Sequence, residues 1–418
     1  MSKIIFTLLI LFVLIYPKFP LTAISGSFVA IRLEDILILL TLLFLNIKLI
    51  KNNPLHRSIY LYLFIAGCAA FSGIFLTKTA NLSQGLLHFF RRVEYLSLFF
   101  VGFQIFDPKK HLSFLINLLL FASLIVSAYG IGQQYLRFPI ISTTNSEFSK
   151  GLALSLGAGA RINSTFAGHY DLAAFMLFPL LLIISLLAGK ARPKWLLASL
   201  WILCYWVMLL SASRITFASL FIAITVLLLI LKKNNWLIPM VIISIFGFMA
   251  SPQLRGRYLD LITNYISVHA EEVVRPVFET AEALQAPIIP EDRSLNIRLK
   301  AEWPKALRAF YKNPIFGSGF SSIGLASDNE YLRLLAESGS LGFVSFLLIF
   351  FRYFIIIKNK ISQNKNILEN NFLIAVACAV FGLLLNAVFI DVFTASKIAL
   401  TTWLLIGVSA KIATQYEK

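Results

Sequence analysis

The feature that most constrains this chain is a series of about twelve apolar runs, most of them close to the roughly 17–25 residues that a helix needs to cross a bilayer. The runs lie near residues 3–17, 34–50, 58–76, 89–106, 112–132, 168–188, 195–212, 215–231, 236–250, 339–357, 372–390 and 398–414. The 418-residue chain is 58% hydrophobic and 14% charged, whereas soluble domains carry about 25% charged residues. We therefore predict an all-α fold, a polytopic membrane helix bundle of about 12 transmembrane helices.

The first apolar run has two interpretations. Lys3 and the apolar residues 4–16 have the charge and the length of a secretory signal peptide. The segment 17–20 that follows offers no clear small-residue cleavage site, so we favour an uncleaved first helix.

The excess positive charge of the chain indicates its orientation in the membrane. The net charge is +17, and Lys and Arg are concentrated in alternate short connections, near residues 48–57, 109–110, 190–194, 232–233 and 358–365. Cytoplasmic loops are enriched in Lys and Arg, so we assign these connections and both termini to the cytoplasm. The segments 134–167 and 251–338 then face the periplasm or cell exterior, outside a cytoplasmic (inner) membrane. Because the charge lies in membrane loops, we exclude nucleic acid as a partner.

One long polar segment divides the chain into three regions: N-terminal transmembrane helices over 1–250, a large extracytoplasmic loop over 251–338, and C-terminal transmembrane helices over 339–418. The pattern of apolar and charged residues in the loop predicts amphipathic helices near 270–284 and 294–311. Pro304 predicts a kink or a restart in the second of them. Close backbone approach is expected at the glycines that follow, Gly317, Gly319 and Gly324.

Polar residues are concentrated where this loop meets the next apolar run. Asp328, Asn329 and Glu330 come first, and Arg333 and Glu337 follow with the four-residue spacing that lets two side chains pair on a helix. Charged groups at a membrane edge are costly unless they pair or function, so this segment is the first candidate site. Two interpretations of Asp328 stay open, an N-cap of the following helix and a catalytic carboxylate.

Several arginines lie at the ends of apolar runs on the predicted outer side. Arg161 precedes a polar cluster that includes His169, and Arg214 lies between two runs with almost no loop. The alternatives to binding roles are a solvated loop arginine for Arg161, a snorkelling arginine for Arg214, and a helix cap or core contact for His169. Arg298 lies on the predicted amphipathic loop helix, on a basic face suited to lipid headgroups or to a phosphate.

Three further charged residues are weaker candidates. Arg91 fits an interfacial anchor paired with Glu94 as well as it fits a binding residue. Asp391 and Lys397 flank the last outer turn, where they either pair with each other or line the site.

The sequence contains no phosphate-binding glycine loop, paired-aspartate metal site or nucleophile elbow. Cys68, Cys204 and Cys378 all lie in apolar runs and have neither disulfide nor metal spacing. We therefore expect no metal and no other cofactor.

One motif resembles a known family. The pair Asp328-Asn329 is followed by nine residues and then by Gly339-Ser340. The pattern is similar to that of the O-antigen polymerase and O-antigen ligase superfamily, whose ligases carry a His, then Asn, Ser or Gln, nine residues, Gly and a small residue. The stretch 313–320 resembles the block that the family has just upstream. Because Asp328 stands where the ligases have their His, a polymerase fits better than a ligase.

The resemblance implies a glycan donor on a polyprenyl pyrophosphate and transfer to an acceptor hydroxyl on the outer side of the membrane. Arg161 and Arg214 fall where the family has outward-facing arginines, and a planar, permanently charged guanidinium suits a diphosphate. We expect these two arginines to bind the donor, with Arg298 nearby. Asp328 is then the expected base, and Glu330 is the substitute candidate. The other residues assigned to the site are Asn329, His169 and Arg91.

Two alternative functions stay open. A ligase of the same family would move finished glycan to a lipid or protein acceptor, and a flippase would also have many spans and buried charges. Transporters usually show broken helices in related positions of two halves, a pattern that this sequence lacks. The expected partners are the lipid bilayer and the polyprenyl-pyrophosphate-linked glycan, with a flippase and a chain-length regulator as further candidates.

Overall fold

The structure, a computed structural model, describes residues 2–16, 20–23, 30–45, 53–140, 160–189, 193–252, 254–256, 258–259, 297–324, 327–364 and 366–414. The helices are α1 (Ser2–Ile15), α2 (Leu33–Leu45), α3 (Pro54–Phe71), α4 (Leu82–Ile105), α5 (Pro108–Tyr135), α6 (His169–Ala188), α7 (Lys194–Leu210), α8 (Arg214–Ile230), α9 (Leu237–Ala250), α10 (Trp303–Lys312), α11 (Glu330–Gln363), α12 (Ile367–Asn386) and α13 (Ser396–Thr414). One π-helical turn, Ser72–Leu76, extends α3, and another, Arg298–Glu302, leads into α10.

Each predicted apolar run coincides with a helix. Among the described residues, six helices are long and apolar enough to cross a membrane, namely α3 with its π-helical turn, α5, α6, α11, α12 and α13. The helices α1, α7, α8 and α9 are apolar but shorter. The chain is therefore a helical, polytopic membrane protein, and the total of about 12 transmembrane helices stays a prediction. The helix expected near 270–284 lies outside the described residues.

A small β-sheet is the one departure from an all-helical fold in the described residues. The strands β1 (Pro20–Ala23) and β2 (Ala30–Arg32) pair in antiparallel register between α1 and α2. Strands of three or four residues are too short to give a readable alternation of apolar and polar side chains, which is why the sequence did not predict them.

Turns that are predicted to face outward contact one another at one end of the bundle, which we call the polar end. The Lys397 ammonium at the start of α13 donates to the carbonyls of Leu14, at the end of α1, and of Thr165, just before α6. The Thr216 hydroxyl near the start of α8 donates to Asn386, the last residue of α12, at 3.1 Å. These contacts join turns that are far apart in sequence.

Close helix packing holds the two halves of the chain together. α13 lies against α4, α3 against α11, and α12 against both α6 and α8. Gly102 of α4 and Gly407 of α13 face the backbone of the opposite helix so closely that an added Cβ would overlap it. Small residues commonly mark such contacts in membranes, where helices associate through packing rather than through exclusion of water.

The second amphipathic helix of the loop is present and begins where Pro304 predicts a restart. Pro304 is the second residue of α10, at the point where the preceding π-helical turn changes to a regular α-helix. The Arg298–Glu302 turn precedes it, and Asn313 ends the helix, as expected from the Asn313-Pro314 sequence. The predicted start near Ser294 lies outside the described residues.

The nine-residue spacing of the family motif has a structural explanation. Asn329 caps α11 and Gly339 interrupts it, so the nine residues between them form one helical segment of about 14 Å. At Gly339, φ is 67° and ψ is −173°, a conformation that is almost confined to glycine. The upstream block lies against this break, and the Ser340 N–H donates to the Pro314 carbonyl at 2.8 Å. The two parts of the motif are therefore in direct contact.

Replacing Gly339 with alanine is expected to lower the free energy of unfolding by about 1–3 kcal/mol or more. The new Cβ would occupy a disfavoured backbone conformation and would overlap the carbonyl oxygen of Ile315. The measurement is the thermal unfolding midpoint of the purified protein in detergent. Gly67→Ala is the matched control, because its Cβ would meet only Phe89, at 3.8 Å. Equal midpoints for both variants would contradict this account of the motif.

Candidate active site

A group of charged side chains is buried at the polar end, and we call it the ion cluster. Its members are Arg92, Glu330, Arg333, Glu337 and Asp391; the first four are buried, and the Asp391 side chain is 14% exposed. They come from α4, from the first two turns of α11, and from the turn between α12 and α13. The cluster therefore joins the N-terminal and C-terminal transmembrane regions at the point where α11 begins.

Arg92 connects α4 to the start of α11. Its Nη1 donates to Glu330 Oε1 at 3.3 Å and to the Phe393 carbonyl at 3.2 Å, and its Nη2 donates to Thr394 Oγ1 at 3.0 Å. Glu330 also accepts a hydrogen bond from the Phe393 N–H at 3.1 Å. The Glu330 carboxylate is fully buried and already has these partners, so the geometry disfavours it as a base that reaches an acceptor.

Arg333 forms the second half of the ion cluster. Its Nη1 donates to Glu337 Oε1 at 3.2 Å, which confirms the pair expected from the four-residue spacing, and its Nη2 donates to Asp391 Oδ2 at 3.0 Å. Asp391 also accepts hydrogen bonds from the Ser327 N–H and hydroxyl. Burial alone would raise the pKa of Asp391, but Arg333 and Ser327 hold it below its usual range. Asp391 is thus a half-buried anion, and it pairs with Arg333 and not with Lys397.

Asp328 lies at the edge of the ion cluster and differs from it in exposure. The N-cap of α11 is Asn329, whose side chain accepts the Leu332 N–H at 3.0 Å, so capping does not explain Asp328. Asp328 has a φ of 50°, which is uncommon for a residue with a side chain. Its carboxylate is 39% exposed and accepts a hydrogen bond from Arg298 Nε at 3.0 Å. Burial raises the pKa of this carboxyl, while Arg298 acts in the opposite direction.

Arg298 has donors left over after it pairs with Asp328. Its side chain is only 6% exposed, and its Nε is the atom that contacts Asp328. Within the described part of the chain, the two terminal amino groups form no hydrogen bond. A guanidinium held in place by one carboxylate, with both terminal amino groups unused, is suited to binding an anion beside that carboxylate.

Arg161 and His169 are neighbours on the turn before α6. Arg161 Nη1 lies 2.7 Å from His169 Nε2. The same turn is fixed by Lys397, whose ammonium donates to the Thr165 carbonyl at 2.7 Å and lies over the Phe166 ring. The turn is therefore firmly attached to the start of α13, which lies next to the ion cluster.

Arg214 is the first residue of α8, and Ser213 caps that helix. The side chain of Arg214 is half-buried, and its carbonyl accepts the Tyr258 hydroxyl at 2.9 Å. Two residues after Arg214, the Thr216 hydroxyl donates to Asn386. The carbonyl of Ala387, which follows Asn386, accepts the Glu330 N–H at 2.9 Å. The start of α8 and the start of α11 therefore lie beside the same turn of the polar end.

Arg91 belongs to a different group of charges. Its Nη1 lies 2.6 Å from Asp35 and 2.8 Å from Glu94, as expected for the anchor interpretation. These partners occupy the guanidinium away from Asp328. The neighbouring residue, Arg92, is the one that belongs to the ion cluster, and no sequence pattern distinguishes the two arginines.

The candidate residues share an end of the bundle. Two cavities among the described residues are lined mainly by apolar side chains, and their linings do not include Arg161, Arg214 or Asp328. What the structure brings into direct contact is the pair Asp328 and Arg298, with Asn329 and Glu330 next to it in the chain.

The fold and this site define a polytopic membrane protein with a charged, partly exposed centre at one end of its helices. Residues 197–347 match the family model for O-antigen ligase, which confirms the resemblance to the O-antigen polymerase and ligase superfamily. The matched range extends from α7 into α11 and includes Arg214, Arg298 and Asp328. No curated protein matches the chain.

Proposed function

We propose that the protein is a membrane glycosyltransferase that polymerises lipid-linked repeat units of O-antigen or exopolysaccharide. The observation that carries this proposal is the position of Asp328, whose partly exposed carboxylate pairs with Arg298. Its backbone conformation is uncommon, and Asn329, not Asp328, caps α11. The match to O-antigen ligase over residues 197–347 supports the reaction class. The proposed site faces the periplasm or cell exterior, on the outer side of the cytoplasmic membrane.

In the proposed reaction, an acceptor sugar hydroxyl attacks the anomeric carbon of a glycan carried on polyprenyl pyrophosphate. A new glycosidic C–O bond forms, the bond from that carbon to the pyrophosphate oxygen breaks, and polyprenyl pyrophosphate leaves. Asp328 takes the proton of the hydroxyl. A raised pKa suits this role, because a general base works best when its pKa is near the operating pH.

Cations stabilise the departing diphosphate in this proposal. Arg298 is suited to it by its two unused amino groups beside Asp328. We assign the remaining diphosphate contacts to Arg161 and Arg214, which lie on turns of the same end of the bundle. Fixed positive groups at a developing negative charge lower a barrier without reorganisation during the reaction. We propose that these arginines, and no metal ion, neutralise the leaving group.

The neighbours of Asp328 act as positioning residues in this proposal. Asn329 caps α11, and Glu330 ties the start of that helix to Arg92 and to the turn between α12 and α13. Both interactions fix the backbone next to Asp328. We assign His169 the same kind of role toward Arg161. Arg91, held by Asp35 and Glu94, drops out of the substrate-binding set.

Polymer length in cells tests the diphosphate assignment. At equal protein level, Arg161→Ala and Arg214→Ala are each expected to shorten the polymer to single or few repeat units. Lys232→Ala is the matched control, since it removes an exposed cation from the opposite end of the bundle and is expected to leave the length distribution unchanged. Long chains persisting in both arginine variants would contradict the assignment. A single transfer to each acceptor by the unaltered protein would favour the ligase alternative.

A further inference from the structure

We propose that α10 is a docking surface for the anionic headgroups of the bilayer lipids at the polar end. The partner is the membrane surface itself, in the leaflet next to this end of the bundle. Three observations carry the proposal: the arrangement of side chains around α10, the attachment of its C-terminal end near the end of a membrane span, and its excess of cations.

The helix α10 has one covered face and two exposed strips. Ala306 and Ala309 are buried against α11. On the opposite side, Leu307 and Tyr311 are exposed and are four residues apart, so they form one apolar strip. The cations Lys305, Arg308 and Lys312 form a second exposed strip beside it. Apolar and cationic strips side by side are typical of helices that lie in the plane of a membrane interface.

The C-terminal end of α10 is attached near the end of a membrane span. The Asn313 side chain donates to the Ser72 hydroxyl at 2.8 Å, and Ser72 lies four residues before the end of the 23-residue span Pro54–Leu76. Phe316 then lines an apolar cavity of about 540 Å³ together with Phe71 and Leu76 of that span. The chain following α10 therefore reaches the depth of the hydrocarbon boundary, which sets the helix itself at headgroup height.

The charge of the exposed strip matches an anionic membrane. Lys305, Arg308 and Lys312 form no ion pair with any residue that the structure describes. Glu302 is the single carboxylate between Arg298 and Lys312, so the helix and its preceding turn are strongly cationic. Each such cation near an anionic membrane surface contributes to attachment, which explains cations gathered beside apolar side chains.

Docking would connect lipid charge to the candidate active site. Arg298 lies in the π-helical turn that continues directly into α10, so fixing α10 at the membrane surface also fixes the Arg298 guanidinium beside Asp328. The activity is then expected to rise with the anionic lipid content of the membrane. This consequence rests on the proposed function, whereas docking itself does not.

Docking can be measured without any glycan substrate. The full-length Tyr311→Cys variant is labelled with a fluorophore and reconstituted into vesicles whose lipids are all brominated. One set contains phosphatidylcholine alone, and the other contains equal parts of phosphatidylcholine and phosphatidylglycerol. Cys68 is half-buried and Cys204 and Cys378 are buried, so the unsubstituted chain supplies the labelling background. We expect stronger quenching in the anionic vesicles, and loss of the difference at high salt.

Removing two cations tests the cause of the quenching. When Arg308→Gln and Lys312→Gln are added to the labelled Tyr311→Cys protein, the equilibrium constant for docking is expected to fall about thirtyfold, or about 2 kcal/mol. The matched control, Lys232→Gln with Lys233→Gln, removes two exposed cations from the opposite end and is expected to leave quenching unchanged. Equal quenching in both lipid mixtures, or quenching that survives the α10 substitutions, would overturn the proposal even if the glycosyltransferase activity were established.

Discussion

Replacing Asp328 with asparagine is expected to reduce glycan transfer by about 10²–10⁴-fold, the range typical of losing a general base. Asparagine has nearly the same shape, but its amide cannot accept the proton of the acceptor hydroxyl. The side chain makes one contact that changes, the hydrogen bond from Arg298 at 3.0 Å, and it does not cap α11. The measurement is the initial rate of transfer by purified protein in vesicles, with the thermal unfolding midpoint recorded in parallel.

Asp107→Asn is the matched control for this loss of charge. Asp107 is an N-cap at the opposite end, its carboxylate is 36% exposed against 39% for Asp328, and asparagine caps helices equally well. We expect its rate to equal that of the unaltered protein. If Asp328→Asn retained full rate, Asp328 would not be the base.

The pH dependence of the rate gives the Asp328 prediction a second readout. A base must be deprotonated, so the rate falls as the pH drops through its pKa. Burial raises the pKa of Asp328, and Arg298 opposes that rise. Arg298→Gln removes the opposing charge, so the acidic limb of the profile is expected to move to higher pH, separately from any loss of diphosphate binding. An unmoved limb would count against Asp328 as the titrating group.

Replacing Arg333 with methionine is expected to lower the free energy of unfolding by about 3–5 kcal/mol, the usual cost of removing one partner of a buried ion pair. The ion cluster contains two arginines and three carboxylates, so it already carries one excess negative charge. Losing Arg333 leaves Glu337 and Asp391 without their closest cation and doubles that excess. Thermal unfolding in detergent measures the effect.

Asp391→Asn supplies the comparison within the same ion cluster. This change removes a negative charge and brings the cluster to neutrality, and it leaves Arg333 with Glu337 at 3.2 Å. Its expected cost is about 1–3 kcal/mol, mainly from weakened hydrogen bonds of Ser327 and Arg333. If Asp391→Asn were more destabilising than Arg333→Met, the excess negative charge of the ion cluster would not determine its contribution to stability.

The sequence predicted the features that depend on local patterns. Apolar runs marked the helices, Pro304 marked the start of α10, and the spacing of Arg333 and Glu337 gave a correct pair. The nine-residue interval before Gly339 belongs to the motif, and it equals the length of one helical segment in the structure.

The sequence did not predict the contacts that depend on tertiary packing. Arg92 and Glu330 are 238 residues apart, and Arg333 and Asp391 are 58 residues apart, so no local period relates them. Neither did any local rule distinguish Asp328 from Asn329 as the cap of α11, since both residue types cap helices well. Asn329 is the cap because Asp328 has a positive φ, and that backbone conformation depends on the tertiary fold.

The most direct test is to supply the purified protein, in sealed vesicles, with one radiolabelled repeat unit on polyprenyl pyrophosphate. We expect a ladder of lengthening glycans and release of one polyprenyl pyrophosphate for each unit added, both strongly reduced by Asp328→Asn. Movement of the labelled lipid across the vesicle membrane with no new glycosidic bond would rule out this function and would indicate a flippase.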